Sequence, residues 1–156
     1  MNQQSLFPEL DSKHLVKNID YVDISTLPDS KWRVNSLSDI ALGTYIFYKT
    51  GYHNPATGDM RKIYPYLKSF KRKPEGVVMG YQSESKYQSD YPRYDLDFNG
   101  KAIKIYVHQL VGMCFIHNDM PELKTIVDHI DNKDILNYHP DNCRWVTPSE
   151  NSKRKQ

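Results

Sequence analysis

Three polar side chains in the last third of the sequence are of types that together could hold a metal ion and activate water. Asp128 and His129 follow a short β-branched run, and Asn151 lies further on, in a segment predicted to be helical. A carboxylate and an amide oxygen leave most of an octahedral shell to water and a phosphate, which suits Mg²⁺. A histidine beside that shell, with an ordinary pKa of about 6.5, can take a proton from an attacking water. These residue types predict hydrolysis of a phosphodiester assisted by Mg²⁺ or Mn²⁺.

Two short strands joined by a loop are predicted to position the Asp-His pair. The runs Thr125–Val127 and Cys143–Val146 are rich in β-favouring residues, and Asn, Asp, Tyr and Pro fill the loop between them. Successive side chains of a regular strand point to opposite faces. Asp128 and His129 can therefore serve one site only if the first strand ends or bulges there.

A helix is predicted to begin directly after the second strand. Thr147 occupies the N-cap position, Pro148 the first helical position and Glu150 the position three residues after the cap. This is a capping box with a proline at the one helical position that tolerates it well. Asn151 then falls on the first turn, where its amide can face the strands.

The string V-D-H-I-D, which begins at Val127, and the string N-C-R-W-V-T-P-S-E-N, which ends at Asn151, resemble the HNH (ββα-metal, His-Me finger) nucleases of the phage and intron homing type. In that type an asparagine replaces the second histidine of the name. The resemblance implies that His129 is the general base and that Asn142 braces the loop under it. It also implies that Asp128 and Asn151 hold a single divalent metal ion.

A second resemblance concerns the N-terminal part. The run Trp32–Ile40 is similar in part to the NUMOD-type DNA-binding module that precedes the nuclease in many homing proteins. Together the two resemblances predict an α+β chain, with small antiparallel sheets first and a ββα-metal domain at the C-terminal end. The predicted divisions are an N-terminal segment over residues 1–30, a NUMOD-like DNA-binding region over 31–100 and an HNH nuclease domain over 101–156.

A basic stretch lies between the two motifs. Residues 61–73 hold six cations, no acid and three aromatic residues. This composition can hold a phosphate backbone and stack on sugars or bases, and the alternative is a solvated strand and loop. A shorter group of cations follows Asn151. The residues predicted to bind double-stranded DNA are Arg61, Lys62, Lys68, Lys71, Arg72, Lys73, Lys153, Arg154 and Lys155.

A β-hairpin is the clearest short-range signal in the chain. The segments Arg93–Phe98 and Lys101–Val107 flank Asn99-Gly100, a dipeptide strongly favoured in two-residue hairpin turns. Apolar residues and opposite charges then agree on one register. That register pairs Tyr94 with Ile105, Asp95 with Lys104, Leu96 with Ile103 and Phe98 with Lys101.

The remaining segments are assigned from periodicity and composition. The helical spacing of apolar residues predicts a helix over His108–Ile116, with His108 as a packed histidine rather than a ligand. Gly76–Ser89 is polar after Met79 and is predicted to be a loop. His139 is predicted to be a solvated loop histidine.

The composition bounds the class of protein. The chain has 156 residues and a formal net charge of +2, which fits one compact domain or a small module joined to a smaller one. Two cysteines cannot build a zinc ribbon and do not suggest a disulfide framework, so we expect no structural zinc. We find neither an apolar stretch of about 20 residues nor a secretory signal, and we therefore expect an intracellular, cytoplasmic protein that contacts no membrane.

These observations predict a Mg²⁺- or Mn²⁺-dependent DNA endonuclease. One site per chain predicts nicking by a monomer, and cleavage of both strands would need two chains. One alternative is a DNA-binding protein with a vestigial, inactive HNH fold, which would bind DNA with a steep salt dependence and not cleave it. Another is an RNA-binding module built on the tyrosine-rich basic stretch, for which RNA would compete better than duplex DNA.

Overall fold

A computed structural model describes residues 21–24, 27, 45–54, 57–82, 91–98 and 101–154 of the chain. The sequence features that lie outside the described residues include the run Trp32–Ile40, residues 83–89 of the predicted loop, the turn Asn99-Gly100 and Lys155. The strands and helices are β1 (Tyr21–Asp23), β2 (Tyr45–Tyr52), β3 (Tyr64–Ser69), β4 (Val77–Met79), β5 (Arg93–Phe98), β6 (Lys101–Tyr106), α1 (Val107–Phe115), β7 (Ile126–His129), a 3₁₀ helix (Pro140–Asn142), β8 (Cys143–Val146) and α2 (Pro148–Arg154).

The first four strands form an antiparallel sheet in the order β1-β2-β3-β4. The strand β3 lies inside the basic stretch, and residues 61–73 comprise the end of a turn, this strand and a bend. The loop predicted over Gly76–Ser89 is wrong at β4, which pairs with β3 through Leu67 and Met79. Val77 and Val78 are β-branched and favour an extended backbone, although both side chains are exposed.

The hairpin of β5 and β6 has the register that the sequence predicts. Its partners include Tyr94 with Ile105 and Leu96 with Ile103. These four side chains are buried, whereas Lys104 on the alternate face is exposed. The agreement follows from a side-chain period of two, which fixes the register wherever one face of a strand pair is buried.

Helix α1 follows the hairpin directly, as predicted, and packs closely on β7. Gly112 is buried on the helix face toward the strand. A Cβ atom added there would overlap the Val127 side chain and would lie 3.0 Å from its Cγ1 atom. The indole Nε1 of Trp145 on β8 donates to the carbonyl oxygens of Gly112 and Ile116, at 3.2 and 3.1 Å. Glycine therefore lets the helix approach the strand that carries Asp128 and His129.

One hydrophobic core serves all of these elements. It joins side chains from the four-stranded sheet, the hairpin, α1 and the β7–β8 pair, among them Phe47, Leu67, Leu96, Leu110 and Trp145. The described part of the chain is thus a mixed α/β fold with small antiparallel sheets and a C-terminal strand–strand–helix unit. The paired strands β5 and β6 lie on either side of residue 100 in the sequence, where the predicted domain boundary falls. Among the described helices, none has the length and apolar character to cross a bilayer.

Candidate active site

Strand β7 ends at His129, which meets the condition for Asp128 and His129 to share a site. The pairing with β8 is regular up to that point and places Asp128 opposite Arg144 and His129 opposite Cys143. The Asp128 side chain is 13% exposed and His129 is 2% exposed. Cys143 is buried in the core, as expected for a packing residue. Both polar groups therefore lie at the C-terminal end of β7 and are largely shielded from solvent.

A cleft of about 280 Å³ brings together three of the predicted site residues, Asp128, His129 and Asn151. The rings of Tyr91, Tyr106 and His108 also line the cleft and form its aromatic wall. A carboxylate, an imidazole and an amide therefore border one space that is large enough for a phosphate group and several water molecules.

The imidazole of His129 is held by rings and by the backbone. The Tyr91 ring stacks on it with centroids 5.5 Å apart and an interplanar angle of 10°. The ring also hydrogen-bonds to the backbone of Ile135, which fixes one imidazole tautomer. Burial lowers the pKa of His129 below its ordinary value, against the opposing charge of Asp128. The neutral form, which can accept a proton, is therefore favoured near pH 7.

Asn142 ties together both ends of the loop beneath His129. Its Oδ1 accepts from the backbone N–H of Asp131 at 2.9 Å, and its Nδ2 donates to the carbonyl of Asn137 at 2.8 Å. Its own carbonyl accepts from the N–H of Ile130 at 2.7 Å. The side chain is buried. These bonds are those that a loop-bracing asparagine would make, and the contribution of Asn142 to catalysis stays a prediction.

The capping box at the start of α2 is present and positions Asn151. The Thr147 hydroxyl accepts from the N–H of Glu150 at 3.1 Å, and the Glu150 carboxylate accepts from the N–H of Thr147 at 3.1 Å. The N–H of Asn151 donates to the carbonyl of Thr147 at 3.0 Å. The half-buried Asn151 side chain lines the cleft. The first turn of α2 therefore places the amide of Asn151 beside the β7–β8 pair.

The donor set of the cleft fits a hard divalent cation. Asp128 and Asn151 offer oxygen atoms, and the cleft has room for the water that Mg²⁺ retains. Within the described ranges, no group of three or more His, Cys, Asp or Glu side chains is placed to hold a metal.

Sequence reasoning did not assign four residues to the site: Arg144, which lies beside Asp128, and His108, Tyr91 and Tyr106, which line the cleft. Arg144 lies across the strand pair from Asp128, with Nη2 3.9 Å from Oδ2. Register counting from the ends of the two predicted strands could have found it. His108 was predicted only to pack, and it both packs and lines the cleft. Tyr91 and Tyr106 reach the cleft through tertiary packing, for which the local sequence gives no signal.

Some cations of the basic stretch contact other residues of the protein, and others are exposed to solvent. Lys71 donates to the carbonyl of Asp97 and lies over the Tyr45 ring, and Lys68 lies over the Tyr48 ring, 5.5 Å from its centroid. Arg61 pairs with Asp59 at 3.2 Å. The remaining predicted DNA contacts in the described chain are the half-buried Lys62, the exposed Arg72, Lys73 and Lys153, and Arg154 at the end of α2.

His139 is not the solvated histidine that the sequence predicts. It is half-buried, and its ring meets the edge of Tyr64 with centroids 5.6 Å apart. Its Nδ1 accepts from the N–H of Asp141 at 3.1 Å, which caps the 3₁₀ helix. The prediction is wrong because a short-range cap and a long-range ring contact both hold this side chain against the sheet.

Comparison with known proteins gives one short similarity. A 57-residue stretch, 36% of the chain, is 44% identical to the "Uncharacterized HNH endonuclease L247" of Acanthamoeba polyphaga mimivirus. The match covers 13% of the length of that relative. The chain matches no family model, and no solved structure gives a significant match. The similarity supports an HNH-type nuclease, in agreement with the cleft, whereas the NUMOD-like resemblance stays a prediction.

Proposed function

We propose that this chain is a divalent-metal-dependent DNA endonuclease that hydrolyses phosphodiester bonds. The observation that carries the proposal is the common cleft of Asp128, His129 and Asn151. The similarity to a protein named as an HNH endonuclease supports the same reaction class. Duplex DNA is the proposed substrate, and a single site per chain favours nicking by a monomer.

His129 would act as the general base. The buried, neutral imidazole would accept a proton from a water molecule in the cleft, and that water would attack the phosphorus. The ring stack with Tyr91 and the hydrogen bond to the Ile135 backbone keep the imidazole in one orientation. Positioned general bases of this kind contribute about 10²–10⁴ in rate.

Asp128 and Asn151 would hold one Mg²⁺ or Mn²⁺ ion. The bound ion would supply positive charge to stabilise the phosphate oxygens and the leaving oxygen. The protein holds Asp128 through the β7–β8 pairing and Asn151 through the capped first turn of α2. Asn142 would keep the connecting loop in the shape that the base requires.

Nicking of supercoiled plasmid tests the proposal directly. We expect relaxation with Mg²⁺ or Mn²⁺, none with EDTA, and a loss of about 10²–10⁴ in rate for His129→Ala. Binding of the same DNA in EDTA by the variant should match the wild type. Binding without cleavage under either metal would instead support a vestigial nuclease fold. Cleavage that persists in His129→Ala would refute the site assignment.

A further inference from the structure

His108 brings a second imidazole into the cleft of the proposed nuclease site. It is the second residue of α1, and its ring centroid lies 4.5 Å from that of His129. The Tyr91 and Tyr106 rings lie 5.1 and 5.6 Å from it. Packing accounts for its aromatic contacts. It does not account for a polar ring at this position, because a phenylalanine would make similar contacts.

His108 lines the cleft, and its hydrogen bonding indicates which ring nitrogen carries the proton. Its Nδ1 is shielded from solvent and has no hydrogen-bond partner among the described residues. Buried N–H groups without a partner are rarer than buried acceptors without one. The proton of the neutral ring is therefore expected on Nε2. Burial, with the neighbouring His129 as the second cause, lowers the pKa of His108 to about 3, so the ring is neutral at pH 7 and carries one N–H group.

We propose that His108 contacts the substrate, with its Nε2–H donating a hydrogen bond to an oxygen of the phosphodiester in the cleft. This inference rests on the proposed function, because it assigns a further contact to the same phosphodiester. A phosphate oxygen is a charged acceptor, and hydrogen bonds to charged groups are about twice as strong as neutral ones. A neutral donor makes this bond without adding a cation beside the proposed metal ligands.

Two substitutions separate this role from packing. In His108→Phe the ring contacts with His129, Tyr91 and Tyr106 can persist, but the N–H group is lost. In His108→Gln the ring is lost, while the amide nitrogen can reach the place of Nε2. The first variant therefore tests the donor and the second tests the ring.

The readout is the single-turnover nicking rate of supercoiled plasmid at saturating enzyme and Mg²⁺. We expect the nicking rate of His108→Phe to be about ten- to a hundredfold lower than that of the wild type, because this is the effect of losing a hydrogen bond to a charged group. We expect His108→Gln to stay within about threefold of the wild type, with the hydrogen bond retained. Melting temperatures of both variants, and DNA binding in EDTA, check that the fold is kept.

The outcomes that overturn the inference are specific. Full activity in His108→Phe would show that the His108 ring only packs. Equal losses of nicking rate in both variants would show that the N–H donor, which His108→Gln retains, is not what the activity requires. Either result leaves the proposed function standing if the wild type nicks DNA and His129→Ala does not. A wild type that fails to nick with either metal would overturn the proposed function and this inference together.

Discussion

The guanidinium of Arg144 lies 3.9 Å from the carboxylate of Asp128, measured from Nη2 to Oδ2. The two residues are direct partners in the β7–β8 register, so the strand pairing itself places a cation beside the proposed metal ligand. Arg144 is 41% exposed on its side chain. A cation at this place would compete with the metal for the carboxylate, or it would help to hold the phosphate.

Removing this cation should change the metal requirement. In Arg144→Ala we expect half-maximal nicking at a roughly two- to fivefold lower Mg²⁺ concentration, because partly exposed ion pairs contribute about 0.2–1 kcal/mol. The measurement is a Mg²⁺ titration of the nicking rate. Arg93→Ala removes a cation paired with Asp95 on the hairpin and serves as the control of equal charge. An unchanged midpoint with weaker DNA binding would assign Arg144 to the phosphate instead.

The capping box offers a test of how α2 positions Asn151. Thr147→Ala removes the acceptor for the N–H of Glu150 and should destabilise the protein by about 1 kcal/mol. Because Asn151 lies on that first turn, we expect the Mg²⁺ midpoint for nicking to rise as well. Thr147→Ser keeps the hydroxyl and should match the wild type in both urea unfolding and the Mg²⁺ titration. A raised midpoint in the serine variant would contradict this account.

Asn142 should couple loop stability to activity. In Asn142→Ala, the N–H of Asp131 and the carbonyl of Asn137 each lose a side-chain partner. Each of these partly buried hydrogen bonds contributes about 0.5–1.5 kcal/mol, so we expect reduced stability to urea. We also expect a nicking rate at least tenfold lower, because the loop under His129 loses its brace. Asn118→Ala likewise removes two side-chain hydrogen bonds, one to the carbonyl of Lys124 and one from the N–H of Met120, and is the control because Asn118 does not line the cleft. If Asn142→Ala were destabilised but nicked DNA at the wild-type rate, bracing of the loop by Asn142 would not be required for catalysis.

His108 should make stability depend on pH. Its pKa is about 3 in the folded chain and about 6.5 in an unfolded one, so the unfolded state binds the proton more readily between these values. The free energy of unfolding should therefore fall as the pH drops from about 6.5 toward 3, by up to about 1.4 kcal/mol per unit from this one group. The slope should be smaller in His108→Phe, measured by urea unfolding at pH 7 and pH 5. Equal slopes in both proteins would show that another group dominates.

The exposed cations of the basic stretch should govern the salt dependence of DNA binding. The double variant Arg72→Ala, Lys73→Ala should lower the slope of log affinity against log salt by about 1.8, if each residue neutralises one phosphate. Lys71→Ala should instead reduce stability, because Lys71 donates to the Asp97 carbonyl. Fluorescence anisotropy of a short labelled duplex over a salt series measures the slope, and urea unfolding measures the stability of Lys71→Ala. A salt slope in the double variant equal to that of the wild type would show that the DNA binds elsewhere on the molecule.

Local signals predicted the elements, and long-range packing decided the site. The hairpin register, the capping box and the strand Cys143–Val146 follow from periodicity and from turn or cap residues, so the sequence alone determined them. The aromatic wall does not, because Tyr91 reaches His129 only once the hairpin, α1 and β7 have packed together. Strand β4 was missed because it has only three residues and its valines are exposed, so the sequence shows no alternation of apolar and polar side chains there.

The close contact at Gly112 makes a residue with no side chain a determinant of the cleft. A methyl group there would push against Val127, and the two residues that follow Val127 along the strand are Asp128 and His129. The displacement would tilt the carboxylate and the base together, without touching either. Mutations at Gly112 would therefore impair the reaction, although Gly112 itself does not line the cleft.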